Sequence, residues 1–175
     1  MRLFIAVNLN KEMKDALLDM QDAMKWKGVR GNYTKPANLH LTLAFIGEFG
    51  DPEAVMDALD DVEFEPFGIC LDGVGAFRGL WWTGVSPCGM EKAENDPLRS
   101  LTKKVRRALA ENGIPFDRKK FSPHITLVRR PDPGDIAPPA PRGKEMTVER
   151  FSLMRSDRGK HGMIYTELYS REAEV

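Results

Sequence analysis

The sequence contains few of the residues that metal centres and disulfide frameworks require. Its 175 residues include only two cysteines, Cys70 and Cys88, and three histidines. The cysteines lack the Cys-x-x-Cys spacing of zinc and thioredoxin-like sites, and one bridge would not make a disulfide framework. We therefore expect a protein of a reducing compartment, with no metal and no cofactor.

An excess of charge of one sign and a long hydrophobic run are also missing. Twenty-six Lys and Arg residues balance twenty-six Asp and Glu residues, so no overall field favours sequence-independent binding to nucleic acid or to anionic membranes. The apolar run at residues 3–7 is shorter than the core of a secretory signal and far shorter than a membrane span. We predict a cytoplasmic monomer in which any anion site is local.

The composition and the hydrophobic patterns predict a single α+β domain over residues 1–175. Hydrophobic residues make up 42% of the chain, which is ordinary for a soluble globular protein. Capping residues and apolar stripes predict helices from Lys11 to about Gly28, over 52–61, and from Pro97 to Asn112. Apolar segments predict strands at about 2–9, 39–47, 66–74, 80–86, 123–129, 146–155 and 162–169, and the proline-rich stretch 131–143 predicts a loop. Because strands outnumber helices and do not alternate strictly with them, the sheet should be mixed or antiparallel.

Two of the three histidines lie in nearly identical tetrapeptides, His40-Leu-Thr-Leu and His124-Ile-Thr-Leu. In a β-strand, residues i and i+2 point to the same face, so each tetrapeptide presents its histidine and its threonine together. The apolar residues of the tetrapeptides, Leu41 and Leu43 in one and Ile125 and Leu127 in the other, would anchor the opposite face in the core. Two such strands brought together would surround one small cavity with two imidazoles and two hydroxyls.

This set of side chains suits displacement at phosphorus. One histidine can act as a base and the other as an acid near neutral pH, because the unperturbed pKa of histidine is about 6.5. The attacking and leaving oxygens lie roughly in line on opposite sides of the phosphorus, where a base and an acid are needed. The hydroxyls of Thr42 and Thr126 would donate hydrogen bonds to the non-bridging oxygens. Such a reaction needs no metal.

The paired motifs resemble those of the two-histidine phosphoesterase superfamily, and specifically of the RNA 2',3'-cyclic phosphodiesterases, also called 2'-5' RNA ligases. Residues 1–9 look like the opening strand of that family, and residues 35–48 look like its first signature. The segments 73–77, 80–85 and 121–129 follow in the order of the family, the last of them containing the second signature. The resemblance covers nearly the whole chain.

The resemblance implies a two-lobed fold with pseudo-twofold symmetry, in which each lobe contributes one motif strand to a central cleft and the helices pack outside. It also implies hydrolysis of RNA 2',3'-cyclic phosphate ends to 2'-phosphates, and in some members the reverse joining of RNA ends by a 2'-5' linkage. By analogy, His40 is the proton donor and His124 the proton acceptor. Thr42, Thr126 and Arg129 carry over as substrate ligands. In a regular strand Arg129 would point away from His124, so its assignment requires the strand to bend, and the adjacent Arg130 remains an alternative.

Several other interpretations remain open. The third histidine, His161, is expected in an exposed turn, and a zinc site built from all three histidines lacks a supporting motif. Four aromatic residues could stack on a base, although each singly fits core packing as well: Tyr33, Phe45, Trp81 and Trp82. The second functional hypothesis is a binding module that recognises a nucleotide or RNA in the same cleft without catalysis.

Overall fold

Two antiparallel sheets and three α-helices make up the described part of the chain, which in this computed structural model is residues 1–77, 79–89, 95–141 and 143–174. The strands are β1 (Arg2–Asn8), β2 (Arg30–Tyr33), β3 (His40–Glu48), β4 (Phe67–Phe77), β5 (Leu80–Pro87), β6 (His124–Asp132), β7 (Glu145–Val148), β8 (Arg150–Gly159) and β9 (Gly162–Glu172). The helices are α1 (Lys11–Trp26), α2 (Pro52–Leu59) and α3 (Pro97–Glu111), and a short 3-10 turn occupies Pro36–Asn38.

Each sheet contains one of the two motif strands. The first sheet, sheet A, has the strand order β3-β1-β8-β9, and the second, sheet B, has the order β2-β6-β5-β4-β7. All of these neighbours pair antiparallel. The predicted α+β class with antiparallel sheets is therefore confirmed, and each half of the molecule supplies one motif, as the resemblance implied.

Each of the two longer helices follows a strand of one sheet and packs against the motif strand of the other. Helix α1 begins after β1 of sheet A, where the side chain of Asn10 accepts a hydrogen bond from the Met13 amide, yet it lies against β6 of sheet B. Helix α3 begins at the Asp96 cap after β5 of sheet B and lies against β3 of sheet A. This crossing joins the two sheets through both helices.

One large core cluster contains buried side chains of both sheets. Its members come from all three helices and include Leu41 and Leu43 of the first motif and Ile125 and Leu127 of the second. These four side chains are at most 1% exposed, which confirms that the apolar residues of each tetrapeptide anchor the strand. Of the helices in the described ranges, none has the length and apolar character needed to cross a lipid bilayer.

The structure corrects several predicted boundaries. The predicted strand 146–155 is two strands in different sheets, because the chain passes from sheet B to sheet A at the exposed Glu149. Strand β2 was not predicted, since its sequence, Arg-Gly-Asn-Tyr, lacks the apolar alternation of a half-buried strand. Helix α2 ends at Leu59, before the predicted residue 61, and β6 continues to Asp132, which shortens the predicted loop.

The two cysteines are joined in a disulfide. Strands β4 and β5 pair so that Cys70 and Cys88 have Cα atoms 5.3 Å apart, which is within the usual range for a bridge. The sequence favoured a reducing compartment, and the pairing register of these two strands could not be obtained from cysteine spacing alone. The cytoplasmic location stays a prediction.

Candidate active site

His40 is the first residue of β3 and is held by hydrogen bonds at both ring nitrogens. Its Nδ1 lies 2.6 Å from the carbonyl oxygen of Asn38, in the 3-10 turn that precedes the strand. Since a carbonyl can only accept, Nδ1 carries the hydrogen in the neutral ring and Nε2 carries the lone pair. The Nε2 atom lies 2.8 Å from Oγ1 of Thr42, so the hydroxyl donates to it.

His124 has the same arrangement at the start of β6. Its Nδ1 lies 2.7 Å from the carbonyl oxygen of Ser122, again two residues earlier in the chain. The hydrogen bond assigns the hydrogen to Nδ1 and leaves Nε2 available to take or give a proton. The two motif strands, β3 and β6, lie next to each other, which brings the two histidines to the same cleft.

Aromatic rings pack against both imidazoles. The ring centroid of His40 lies 5.0 Å from that of Phe4 and 5.3 Å from that of Tyr165. The ring centroid of His124 lies 5.1 Å from that of Phe77. The ring centroid of Trp82 lies 6.0 Å from that of His124. Among the described contacts, Trp82 is the one of the four suggested stacking residues that packs against a motif histidine. Such packing fixes the orientation of both rings.

The electrostatic environment of His40 favours its neutral form. Burial lowers the pKa of His40 below its usual value, and the positive charges of His124 and Arg129 lower it further. The hydrogen bond to the Asn38 carbonyl opposes this shift.

A bulge in β6 explains how Arg129 faces the cleft. Trp81 pairs with Val128 and Trp82 pairs with Thr126, so the ladder skips Leu127. Leu127 and Val128 are therefore both buried, and the alternation of the strand is reversed after them. Arg130, in contrast, adopts a positive φ of 52°, and its backbone N–H donates a hydrogen bond to the carbonyl oxygen of Gly79. The bend that the assignment of Arg129 required is present.

The other motif strand has the same bulge at the same position. Ile5 pairs with Ala44 and Ala6 pairs with Thr42, so the ladder skips Leu43. The fifth residue after His40 is Phe45, which is 49% exposed and corresponds in position to Arg129. The two halves of the cleft thus present an aromatic ring on one side and a guanidinium on the other.

A polar network beside His40 was missed by the sequence analysis. Asn8 pairs with His40 across β1 and β3, and its amide donates to Oγ of Ser152 at 3.4 Å. Ser152, which is buried, donates to the carboxylate of Glu167 at 2.5 Å. These residues come from β1, β8 and β9, which are distant in sequence, so no local pattern could have indicated them.

The remaining sequence candidates lie elsewhere. His161 is exposed in the turn between β8 and β9, as predicted. Tyr33 and Trp81 pack against Met24, Val29 and Val128 in a small core cluster. Within the described ranges, the three histidines do not form a group at metal-ligand distances, and the one such group, Cys70, Cys88 and Glu145, has both sulfurs in the disulfide.

Comparison with known proteins decides the family. The family model of the 2'-5' RNA ligase superfamily matches residues 19–160. The chain belongs to the 2'-5' RNA ligase superfamily. The resemblance noted from the two motifs is thereby confirmed.

Curated proteins and solved structures are similar to this chain over almost its full length. An RNA 2',3'-cyclic phosphodiesterase of Thermus thermophilus is 36% identical over 96% of this chain and 88% of its own length. One of Archaeoglobus fulgidus is 32% identical over 96% of this chain and 98% of its own. The crystal structure of Escherichia coli LigT complexed with 3'-AMP has a TM-score of 0.80 and 26% identity, covering 98% of this chain and 96% of that one.

Proposed function

We propose that this member of the 2'-5' RNA ligase superfamily is an RNA 2',3'-cyclic phosphodiesterase that opens cyclic phosphate ends to 2'-phosphates. The observation that carries the proposal is the matched state of His40 and His124, each with Nδ1 bound to a carbonyl and Nε2 left for proton transfer. The name that the curated relatives share supports the same reaction.

In this proposal the two histidines act on opposite sides of the phosphorus. Nε2 of His124 takes a proton from water as the water oxygen forms a bond to phosphorus. The bond from phosphorus to the 3' oxygen breaks, and Nε2 of protonated His40 gives its proton to that oxygen. The product carries a 2'-phosphate and a free 3' hydroxyl, and proton transfer through the water and product returns each ring to its starting state.

The negative charge of the bound substrate favours the protonated form of His40, which is the form that acts as the acid. In the free protein, burial lowers the pKa of His40, so the ring is mostly neutral at pH 7. A bound phosphodiester anion would favour the imidazolium and raise this pKa. In the free protein the Thr42 hydroxyl donates to Nε2 of His40 at 2.8 Å. Once Nε2 carries a proton, this hydroxyl turns its hydrogen to a phosphoryl oxygen, and the Nε2 proton is left for the 3' oxygen.

Thr126 and Arg129 would complete the phosphate site from sheet B. Thr126 follows His124 by two residues on the same strand face, and the bulge at Leu127 directs Arg129 to that face. A guanidinium aimed at the oxygens on which negative charge develops stabilises the transition state more than the ground state.

The exposed Phe45 is proposed to hold the terminal base. Its ring lies at the cleft side of β3, with its centroid 6.2 Å from that of the buried Phe4. Stacking on an aromatic ring is tolerant of base identity, which suits an enzyme that acts on RNA ends. The LigT complex with 3'-AMP supports nucleotide binding in this fold. We further propose that residues 1–175 act as one monomeric, two-lobed unit in the cytoplasm, with RNA ends as the partner and no cofactor.

The test is hydrolysis of an oligoribonucleotide ending in a 2',3'-cyclic phosphate, in EDTA, from pH 5 to pH 9, with the position of the product phosphate identified. His40→Ala and His124→Ala should each reduce kcat by about 10²- to 10⁴-fold, since each removes one partner of acid-base catalysis. His161→Ala serves as the control, because the side chain of His161 is exposed in the turn between β8 and β9 and is not among the described contacts of His40 or His124.

A near-normal rate in both cleft variants would contradict the proposal. Binding of a cyclic nucleotide by the native protein without hydrolysis would support the alternative of a binding module. A 3'-phosphate product would reverse the assignment of the leaving group and therefore the side on which His40 acts. Formation of a 2'-5' linkage from suitable RNA ends would establish the reverse reaction.

A further inference from the structure

The two cleft bulges are each contacted by one side chain from the helix that crosses over from the other sheet. The carbonyl of Leu127 in β6 accepts a hydrogen bond from Nε2 of Gln21 in α1, at 2.9 Å. The carbonyl of Leu43 in β3 accepts one from Nε of Arg106 in α3, at 3.2 Å. Both acceptors are the residue that the ladder skips, three positions after the motif histidine.

Gln21 uses both hydrogens of its amide on backbone carbonyls. The same Nε2 donates to the carbonyl of Thr34 at 2.8 Å, which ties β6 to the segment that follows β2. Both partners are carbonyl oxygens, which can only accept a hydrogen bond. The nitrogen end of the Gln21 amide, and not its oxygen, must therefore face the strand. The side chain is 2% exposed, so water cannot replace it.

The backbone amide of Thr34 also donates to the Leu127 carbonyl, at 3.0 Å. This carbonyl therefore has two donors, and Gln21 supplies the one that comes from outside the sheet. The hydroxyl of Thr34 donates to the carbonyl of Thr126 at 2.9 Å, one residue before the bulge. Gln21 thus completes a set of bonds that holds the strand on both sides of the point where its alternation reverses.

We propose that Gln21 is a positioning residue that keeps the bulge at Leu127 in place and so directs Arg129 at the phosphate. The inference rests on the proposed function, because it concerns the same cleft. Its physical basis is the reversal itself. Without the bulge, Arg129 would follow the regular alternation of β6 and point to the face opposite His124 and Thr126.

A double-mutant cycle tests the inference. Gln21→Met removes both donors while keeping the length and fit of the side chain, and Arg129→Ala removes the group on which Gln21 is argued to act. We expect Gln21→Met to lower kcat/KM about tenfold in the native background and less than about twofold in the Arg129→Ala background. Equal losses in the two backgrounds, or no loss in the native one, would overturn the inference.

Binding of adenosine 2'-monophosphate, measured by calorimetry in the same four proteins, separates this inference from the proposed function. The same non-additivity should occur in the dissociation constant, where no turnover is needed. An inactive native protein that still shows the non-additive binding would contradict the proposed function and support the role of Gln21. Additive binding in an active enzyme would contradict the role of Gln21 and leave the proposed function in place.

Two further variants control for loss of structure. Thr102→Val removes a buried hydrogen bond away from β6, in which the Thr102 hydroxyl donates to the Leu98 carbonyl at 3.0 Å within α3. This variant should leave kcat/KM unchanged. Gln21→Asn keeps the amide but is one methylene shorter, so it cannot span both carbonyls and should show the same dependence on Arg129. If Gln21→Met does not fold, the cycle is carried out with Gln21→Asn, and additive losses there overturn the inference.

Discussion

At the residue scale, the two motif histidines differ in their surroundings although their local geometry is the same. His40 packs against the rings of Phe4 and Tyr165 and pairs across the strands with Asn8. His124 packs against Phe77 and Trp82 at the edge of the β4–β5 hairpin. The different roles proposed for the two histidines therefore depend on these neighbours, because the tetrapeptides themselves are nearly equivalent.

This difference predicts a pH dependence. The acid His40 must be protonated, and burial, His124 and Arg129 all lower its pKa in the free protein. We expect kcat/KM, which reports the free enzyme, to fall with rising pH at a midpoint below about 6.5. The same limb in kcat should lie at higher pH, since bound phosphate favours the imidazolium.

Arg129→Ala provides the matched test of that assignment. It removes one positive charge that lowers the pKa of His40, so the falling limb of kcat/KM should move to higher pH even though the rate is lower. His161→Ala should leave the limb where it is. A limb that moves to lower pH in Arg129→Ala would show that another group controls it.

At the scale of single elements, the bulge in β3 predicts how Arg106 affects substrate binding. Arg106→Met removes the bond to the Leu43 carbonyl and a second bond, 2.8 Å long, to the Lys119 carbonyl. We expect KM to rise with little change in kcat, because Phe45 would lose its position at the cleft while the histidines remain in place. Steady-state kinetics on the cyclic-phosphate oligonucleotide measure the two constants separately.

Phe45→Ala sets the scale for that effect. Loss of one stacked base weakens binding by about 1–3 kcal/mol, which is about 5- to 150-fold in KM. Arg106→Met should not exceed this change. Arg107→Met, on the exposed side of the same helix, is the control. A fall in kcat with constant KM in Arg106→Met would show that the β3 bulge serves the chemistry instead of the base.

Much of the fold and of the site could be predicted from sequence, and the elements show why the rest could not. The motif strands were predicted because apolar and polar residues alternate in them, and the helices because their caps, Asn10, Asp51 and Asp96, are local signals. The bulge in β6 breaks the alternation at two adjacent apolar residues, Leu127 and Val128. Adjacent apolar residues also occur in regular strands that are buried on both faces, so the sequence does not indicate a bulge there. Gln21 and Ser152 act through contacts between elements far apart in the chain, so no local pattern indicated them.

At the scale of the whole molecule, the disulfide bears on stability. It joins β4 to the end of β5 across 18 positions in the chain. Replacing both cysteines by serine should lower the free energy of unfolding by about 2–4 kcal/mol, through greater entropy of the unfolded chain. Urea denaturation with and without a reductant measures this effect.

Activity should be unchanged in the same variant, because neither cysteine is among the described contacts of the motif histidines. A native protein whose unfolding is insensitive to the reductant would show that the bridge adds no stability. Loss of activity in the cysteine variant would instead connect the β4–β5 hairpin to the cleft.

The strand order of sheet A also determines when the cleft can exist during translation. Strand β1 pairs with β3 on one side and with β8 on the other, and Tyr165, which packs on His40, belongs to β9. A nascent chain that has already exposed both histidine motifs still lacks the ring and the polar network behind the first of them. We therefore expect that the proposed substrate can bind only after translation has passed β9, and that a chain terminated before β8 would carry both signatures and be inactive.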